Sequence, residues 1–155
     1  DPRRFPLPRP MSKKSGFDFS FAGLKTAVLK QLNDLKDAKL TEQDVRDMAS
    51  SFQTAVADVF CDRVERGLLH LYSKGRENQR LVFAGGVAAN SYIRSRLSNV
   101  SKQFSARFVL PPPSLCTDNG AMIAWAGIER LNLGLTDSMD LKARARWSLS
   151  DLRKY

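Results

Sequence analysis

Two short segments of the chain carry the residue types that a ligand site needs. The first, Leu81–Asn90, is an apolar run that stops at Gly85 and Gly86 and ends on Asn90. Glycine has no Cβ, so a ligand can approach the backbone closely at such a turn. One asparagine side chain offers both a donor and an acceptor, which suits a nucleoside. These features predict a nucleotide-type site at Gly85, Gly86 and Asn90.

The second segment, Thr117–Gly127, sets Asp118 at the start of a helix built from small residues. A carboxylate there can cap the helix or face its dipole, and for Asp118 taken alone capping is the commoner role. The alternative is a carboxylate ligand for a divalent metal, which needs further ligands from elsewhere. The residue types by themselves leave both roles open.

Other catalytic patterns are absent from the sequence. His70 is the single histidine and lies within an apolar stripe, so a buried or boundary histidine is expected rather than a triad or metal ligand. No Ser-His or Cys-His dyad, Walker A motif or GxGxxG motif is present. Cys61 and Cys116 lack CxxC spacing and are expected to be free thiols in a reducing compartment. A peptidase is not predicted, because the sequence has neither such a nucleophile nor an HExxH motif.

Bulk composition is that of a globular cytoplasmic protein. The 155 residues are 43% apolar and 26% charged, and no run approaches the ~18 apolar residues that would span a bilayer. We therefore expect no membrane contact. The chain opens on a basic, Pro-rich segment without a secretory signal, which suggests a piece of a longer polypeptide.

The net charge of +9 is concentrated at the two ends. Basic ends attract polyanions such as RNA by counterion release, although they also serve simply to keep a chain soluble. The basic residues are Arg3, Arg4, Arg9, Lys13 and Lys14 at one end, and Lys142, Arg144, Arg146, Arg153 and Lys154 at the other.

The first half of the sequence predicts two helices. Apolar residues spaced three or four apart predict an amphipathic helix from Phe21, broken at residues 36–39. Thr41 and Asp44 have the spacing of a capping box. The apolar stripe behind them predicts either one long helix to Gly75 or two with a bend near Gly67. That stripe comprises Val45, Met48, Phe52, Val56, Val59, Val64, Leu68 and Leu71.

The second half alternates strands and helices. Strands are predicted at Arg80–Ala84 and Arg107–Leu110, and helices at Ala88–Leu97 and Asp118–Asn132. This order predicts an α/β fold with parallel strands, whose sheet must be completed by other sequence. The predicted organisation is an extended Pro-rich arm (1–16), a lobe (17–134) and a basic tail (135–155).

Four motifs in order resemble the carboxyl-terminal part of the bacterial tRNA N6-adenosine threonylcarbamoyltransferases, once called O-sialoglycoprotein endopeptidases. The motifs are FPLPRPM (5–11), DFSFAGLKTAV (18–28), LVFAGGVAANSYIRSRL (81–97) and LCTDNGAMIAWAG (115–127). The resemblance implies an actin/Hsp70/sugar-kinase fold with two RNase H-like lobes around a nucleotide cleft. It implies transfer of a threonylcarbamoyl group to N6 of the adenosine beside the tRNA anticodon.

The resemblance also implies roles for particular residues. Gly85 and Gly86 would line the nucleotide, Asn90 would contact threonylcarbamoyl-adenylate or an ATP-like ligand, and Asp118 would bind an active-site iron or zinc. The family's histidine pair at HxxxH spacing is not in this sequence, so the chain would share the metal with a missing amino-terminal half. The implied partners are that half, tRNA and other subunits of the bacterial threonylcarbamoyl-transfer complex.

Two other interpretations stay open. One is a binding module that holds tRNA or partner subunits without catalysis, since half of the implied site is missing. The other is a kinase lobe of the same superfamily, which the FSFAGLKT and CTDNGA motifs argue against.

Overall fold

The computed structural model describes residues 1–35 and 40–146, and these form an α/β structure as predicted. Residues 36–39, where a helix break is expected, and the basic tail residues Arg153 and Lys154 lie outside the described part. The elements are α1 Leu24–Asp34, α2 Glu42–Ser73, β1 Arg80–Val82, α3 Ser91–Gln103, β2 Arg107–Val109 and α4 Gly120–Asn132.

The chain divides into two compact units, Asp1–Asp118 and Asn119–Tyr155. The first contains α1, α2, α3 and the sheet, and the second contains α4. The large apolar side chains of α4 are exposed, and Ile123 and Trp125 have the highest exposed fractions among them. The predicted arm, lobe and tail boundaries remain predictions.

The helix α2 is continuous through Gly67, so the single-helix alternative is the one observed. Its start is fixed by the predicted capping box. The Thr41 hydroxyl accepts a hydrogen bond from the Asp44 N–H at 3.2 Å, and the Asp44 carboxylate accepts one from the Thr41 N–H at 2.8 Å. Each bond satisfies a backbone donor that has no partner inside the helix.

Only part of the predicted apolar stripe of α2 is buried. Met48, Val59 and Leu68 are buried, whereas Val45 and Phe52 are exposed. In the described part of the chain, other elements pack against only one side of α2. Its apolar residues extend around the helix beyond that side.

The two strands pair in parallel, as predicted. Arg80 pairs with Arg107, Leu81 with Phe108 and Val82 with Val109. Both strands are shorter than predicted because the chain turns away just beyond them at Gly85 and at the proline run. The face of the sheet that carries Leu81 and Phe108 packs with Ile93 and Leu97 of α3 and Ala57 of α2.

The amino-terminal segment lies along α2 without regular secondary structure. Phe5 and Leu7 are buried together with Leu24 and Met48. Further along, the fully buried guanidinium of Arg63 donates to the carbonyl oxygens of Lys14 and Gly16, both at 3.1 Å. The segment is therefore held by apolar contacts at one end and by a buried cation at the other.

Two of the basic residues at the amino-terminal end form ion pairs within the fold. Arg4 forms ion pairs with Asp44 and Asp47, and Arg9 pairs with Asp58 at 2.9 Å. Their charges are compensated by acidic residues of α2, which weakens the attraction of these two side chains for a polyanion. Contact of the basic ends with tRNA stays a prediction. Arg3, Lys13 and Lys14 are exposed.

The helix α1 begins at Leu24 rather than at Phe21. Gly23 precedes it with φ of 84°, a left-handed conformation that glycine adopts readily. The Phe19 and Phe21 rings pack instead against Phe60, with centroids 5.5 and 5.4 Å away. Phe21, which the periodicity assigned to the helix, is therefore used for aromatic packing on α2 instead.

Acidification is expected to remove the contribution of the Asp44 carboxylate to stability. Hydrogen bonds from Thr41, together with Arg4, hold the pKa of Asp44 below its ordinary value. A carboxyl group of this kind stabilises the fold above its unfolded pKa of about 3.9, and that contribution disappears as the pH falls through the folded pKa. We expect the unfolding free energy of Asp44→Asn to depend less steeply on pH than that of the wild type below about pH 4.

Urea unfolding across the acidic range measures this difference. Asp18→Asn, which removes one exposed carboxylate, is the control for the change in net charge. Parallel pH profiles for Asp44→Asn and the wild type would contradict the expectation.

Candidate functional site

The turn after β1 contains a glycine that its backbone requires. Gly85 has φ of 84° and ψ of 178°, a combination that is essentially restricted to glycine. A 3-10 turn, Gly86–Ala89, follows and is closed by a 2.9 Å hydrogen bond from the Ala88 N–H to the Gly85 carbonyl. A Cβ on Gly86 would come only within 4.0 Å of the Cys116 carbonyl oxygen, an ordinary contact. Local packing therefore does not explain Gly86.

Asn90 is the amino-terminal cap of α3. Its Oδ1 accepts a hydrogen bond from the Ile93 N–H at 3.0 Å, and its Nδ2 donates to Gln53 Oε1 at 2.9 Å. The expected helix start at Ala88 is wrong, because the 3-10 turn occupies that stretch and α3 begins at Ser91. An amide has two donors and two lone pairs, so one of each remains for a ligand.

Arg94 joins the loops that follow the two strands, and it was missed in the sequence. Its Nε donates to the Ala88 carbonyl in the turn after β1. Its Nη2 lies 3.3 Å from the buried Cys116 thiol and 3.5 Å from the Pro111 carbonyl, both in the loop after β2. A cation near the positive end of a helix dipole is unfavourable on its own, and this is the signal that could have marked Arg94.

Asp118 is not the helix cap. The cap of α4 is Asn119, whose Oδ1 accepts a hydrogen bond from the Met122 N–H at 3.0 Å, and the helix begins at Gly120. The capping role expected for Asp118 is therefore wrong, because the helix starts two residues later than predicted. Asp118 is exposed at the end of the loop that Arg94 anchors.

The described residues do not complete a metal site. Within residues 1–35 and 40–146 no group of three His, Cys, Asp or Glu side chains is arranged to hold a metal ion. A metal at Asp118 would need its other ligands from sequence outside this chain.

His70 is exposed, so its expected placement in the core or at the core boundary is wrong. It lies in the last turn of α2, where its ring packs against Phe17 with centroids 5.0 Å apart. An apolar pocket of about 310 Å³ lies beside it, lined also by Leu68 and Leu81, and contains none of the predicted site residues.

The two cysteines are free thiols, as expected. None of the described helices has the length and apolar character required to cross a bilayer.

Comparisons with known proteins identify relatives over nearly the whole chain. The TsaD family model, described as tRNA N6-adenosine threonylcarbamoyltransferase, matches residues 1–125. Curated proteins of that name are 50% identical in Rhodospirillum rubrum and 48% identical in Bradyrhizobium diazoefficiens, each over 96% of this chain and 41% of the relative. One from Paramagnetospirillum magneticum is 49% identical over 96% of this chain and 43% of its own length. The chain thus spans about two fifths of the curated relatives it matches.

The cap at Asn90 predicts a difference between two substitutions. Asn90→Ala removes the bond to the Ile93 N–H and is expected to lower the free energy of unfolding by about 1 kcal/mol. Asn90→Asp keeps the capping acceptor and loses only the donor to Gln53, so it should cost less. Urea unfolding measures both. Asn99→Ala, at an exposed position within α3, is the control and should not destabilise. Equal tolerance of Ala and Asp at position 90 would contradict the capping role.

The bridge at Arg94 predicts that one substitution loosens two loops. Arg94→Lys keeps the charge but loses the planar fork that reaches both loops. We expect amide hydrogen exchange to accelerate roughly ten-fold in both residues 86–90 and residues 114–118, the scale of removing one hydrogen bond to a charged group. Arg96→Lys is the control, because Arg96 points to Asp58 instead. Faster exchange in only one loop, or in neither, would contradict the bridge.

Proposed function

Because the chain belongs to the tRNA N6-adenosine threonylcarbamoyltransferase family, we propose that it is part of an enzyme that transfers threonylcarbamoyl from threonylcarbamoyl-adenylate to N6 of the adenosine beside the tRNA anticodon. The observation that carries this proposal is the family match over residues 1–125, which includes both loops of the candidate site. Since the chain spans about two fifths of its relatives, the activity is assigned to the full-length protein.

In this proposal the turn after β1 binds the nucleotide part of the adenylate. Gly86 leaves the backbone open to a ligand, and Asn90 has a donor and an acceptor left beyond its capping bonds. The exposed N–H groups at the start of α3 and its dipole favour a phosphate at this end. Arg94 would keep this turn and the Asp118 loop in a fixed relation, so that both can act on one ligand.

Asp118 is proposed as one ligand of an iron or zinc ion shared with the remainder of the protein. Its exposure, and its lack of a role in capping α4, leave the carboxylate available for this. When bound, such an ion would orient and polarise carbamoyl or phosphate oxygens. The described residues alone do not complete the ligand set.

Because the described residues do not complete a set of metal ligands, we propose a non-catalytic role for this chain in isolation. The chain would then bind tRNA or the other subunits of a transfer complex and depend on the rest of the protein for turnover. A transfer assay with tRNA and threonylcarbamoyl-adenylate separates the two roles. Product from the full-length protein, and none from residues 1–155, is the expected result. A protein that modifies tRNA would act in the cytoplasm, where we place it.

Substitutions at Asp118 test the metal role separately from stability. In the full-length protein, Asp118→Asn and Asp118→Ala should both abolish metal retention and threonylcarbamoyl transfer, because a cation of this type needs the anionic oxygen. Neither should change the free energy of unfolding by more than about 0.5 kcal/mol, the usual range for an exposed position.

The control is Asn119→Ala, which removes the true cap of α4. It should cost about 1 kcal/mol of stability while metal content is unchanged. Metal content by elemental analysis and turnover by nucleoside analysis are the two measurements. An Asp118→Asn protein that keeps stoichiometric metal and normal turnover would remove Asp118 from the proposed site.

A further inference from the structure

A group of basic side chains lies at the end of the sheet opposite the candidate site. The strands β1 and β2 are parallel, so the loops from α2 into β1 and from α3 into β2 meet at the same end. The candidate site is built from the loops that leave the other end. We call the group the basic end: Lys74, Arg76, Arg80, Lys102 and Arg107, all exposed.

The charges of the basic end are not compensated by neighbouring carboxylates. Within residues 1–35 and 40–146, none of its five side chains forms an ion pair, and Glu77 is the one acidic residue in residues 74–80 and 102–107. By comparison, seven arginines in other parts of the described chain are paired with carboxylates, namely Arg4, Arg9, Arg46, Arg63, Arg66, Arg96 and Arg130.

Helix ends explain only part of the group. Lys74 is the carboxyl-terminal cap of α2 and Lys102 lies in the last turn of α3, where cations balance the helix dipole. That account does not cover the strand residues Arg80 and Arg107. These two are directly paired across the sheet, and a parallel register places both side chains on the same face. Neighbouring like charges on adjacent strands repel, so the arrangement costs stability until an anion binds.

The composition of the two loops indicates the class of anion. Every exposed residue in 74–80 and 102–107 is polar or glycine, whereas the apolar Phe104 is half-buried and Ala106 is buried. A protein-binding surface generally has an apolar or aromatic centre, which these loops lack. Arg80 also lines the apolar pocket beside His70, but the cations of the two loops stand among polar residues. Such a group fits a polyanion, which is bound chiefly through its phosphates.

We propose that the basic end binds the phosphate backbone of tRNA at a position separate from the site that receives the reacting adenosine. The inference rests on the proposed function for the identity of the polyanion. It assigns to this end of the lobe a contact that positions the RNA and carries no base specificity. The two arginines on the strands would make the main contacts, because their guanidinium groups form paired hydrogen bonds with phosphate oxygens.

The test measures tRNA binding by the full-length protein as a function of salt. The variant Arg80→Gln/Arg107→Gln removes two charges and should weaken tRNA binding by roughly ten- to a hundred-fold at 0.1 M salt. The slope of log Kd against log salt should fall by about 1 for each phosphate group that the variant no longer binds. Lys25→Gln/Lys30→Gln removes the same charge from exposed positions on α1 and should change the slope much less.

Two further measurements distinguish the other outcomes. Arg80→Lys/Arg107→Lys keeps both charges and should retain most of the binding, which separates the removal of charge from a disturbed sheet. A double Gln variant with unchanged Kd and slope would overturn the proposal. A double Gln variant that binds tRNA normally but melts at a lower Tm would overturn it too. That result would indicate that Arg80 and Arg107 contact an acidic surface of the same protein. A wild-type protein with no tRNA affinity would contradict the proposed function as well, whereas the preceding results contradict this inference alone.

Discussion

The buried cation of Arg63 is the interaction on which the rest of the first unit depends. Its guanidinium is fully buried, and a buried charge without partners is strongly destabilising. Asp62 supplies the opposite charge, and the carbonyl groups of Lys14 and Gly16 accept hydrogen bonds from Nη1. The amino-terminal segment is therefore a necessary part of the folded unit. Its path then places Arg9 beside Asp58, which also accepts a hydrogen bond from Arg96 of α3 at 2.7 Å.

This network connects the amino-terminal segment to the candidate site. Asp58 lies between Arg9 on one side and Arg96 on the other, so α2 holds α3 by charge as well as by apolar packing. Burial alone would lower the pKa of Arg96, but hydrogen bonds with Asp58 and Tyr92 outweigh it and raise the pKa above its ordinary value. Arg96 therefore stays charged. The same helix carries the site through Asn90 and Arg94.

The sequence predicted the elements better than their ends. Periodicity was sufficient for α2 and for the parallel strands, because one apolar face or a short apolar run repeats over enough residues to be recognised. It failed at Phe21, Ala88 and Asp118, where features outside the periodic pattern decide the boundary. These are aromatic packing on Phe60, a 3-10 turn, and a cap one residue beyond the predicted one. Within the candidate site, the turn at Gly85 could be predicted from the sequence, because its backbone conformation requires glycine. The bridge at Arg94 joins residues 22 positions apart, and no local pattern encodes such a contact.

The helix α3 gives the lobe two chemically different ends. Its first turn presents the backbone N–H groups of a helix start and the Asn90 cap beside the loops that leave the strands, an environment that favours a small anionic ligand. Its last turn carries Lys102 beside the loops that enter the strands, where the uncompensated charge of Arg80 and Arg107 favours an extended polyanion. A rigid helix fixes the distance between the two ends. In the proposed function, the adenylate at one end and the tRNA backbone at the other would thereby be held at a fixed separation, which favours reaction between two bound molecules.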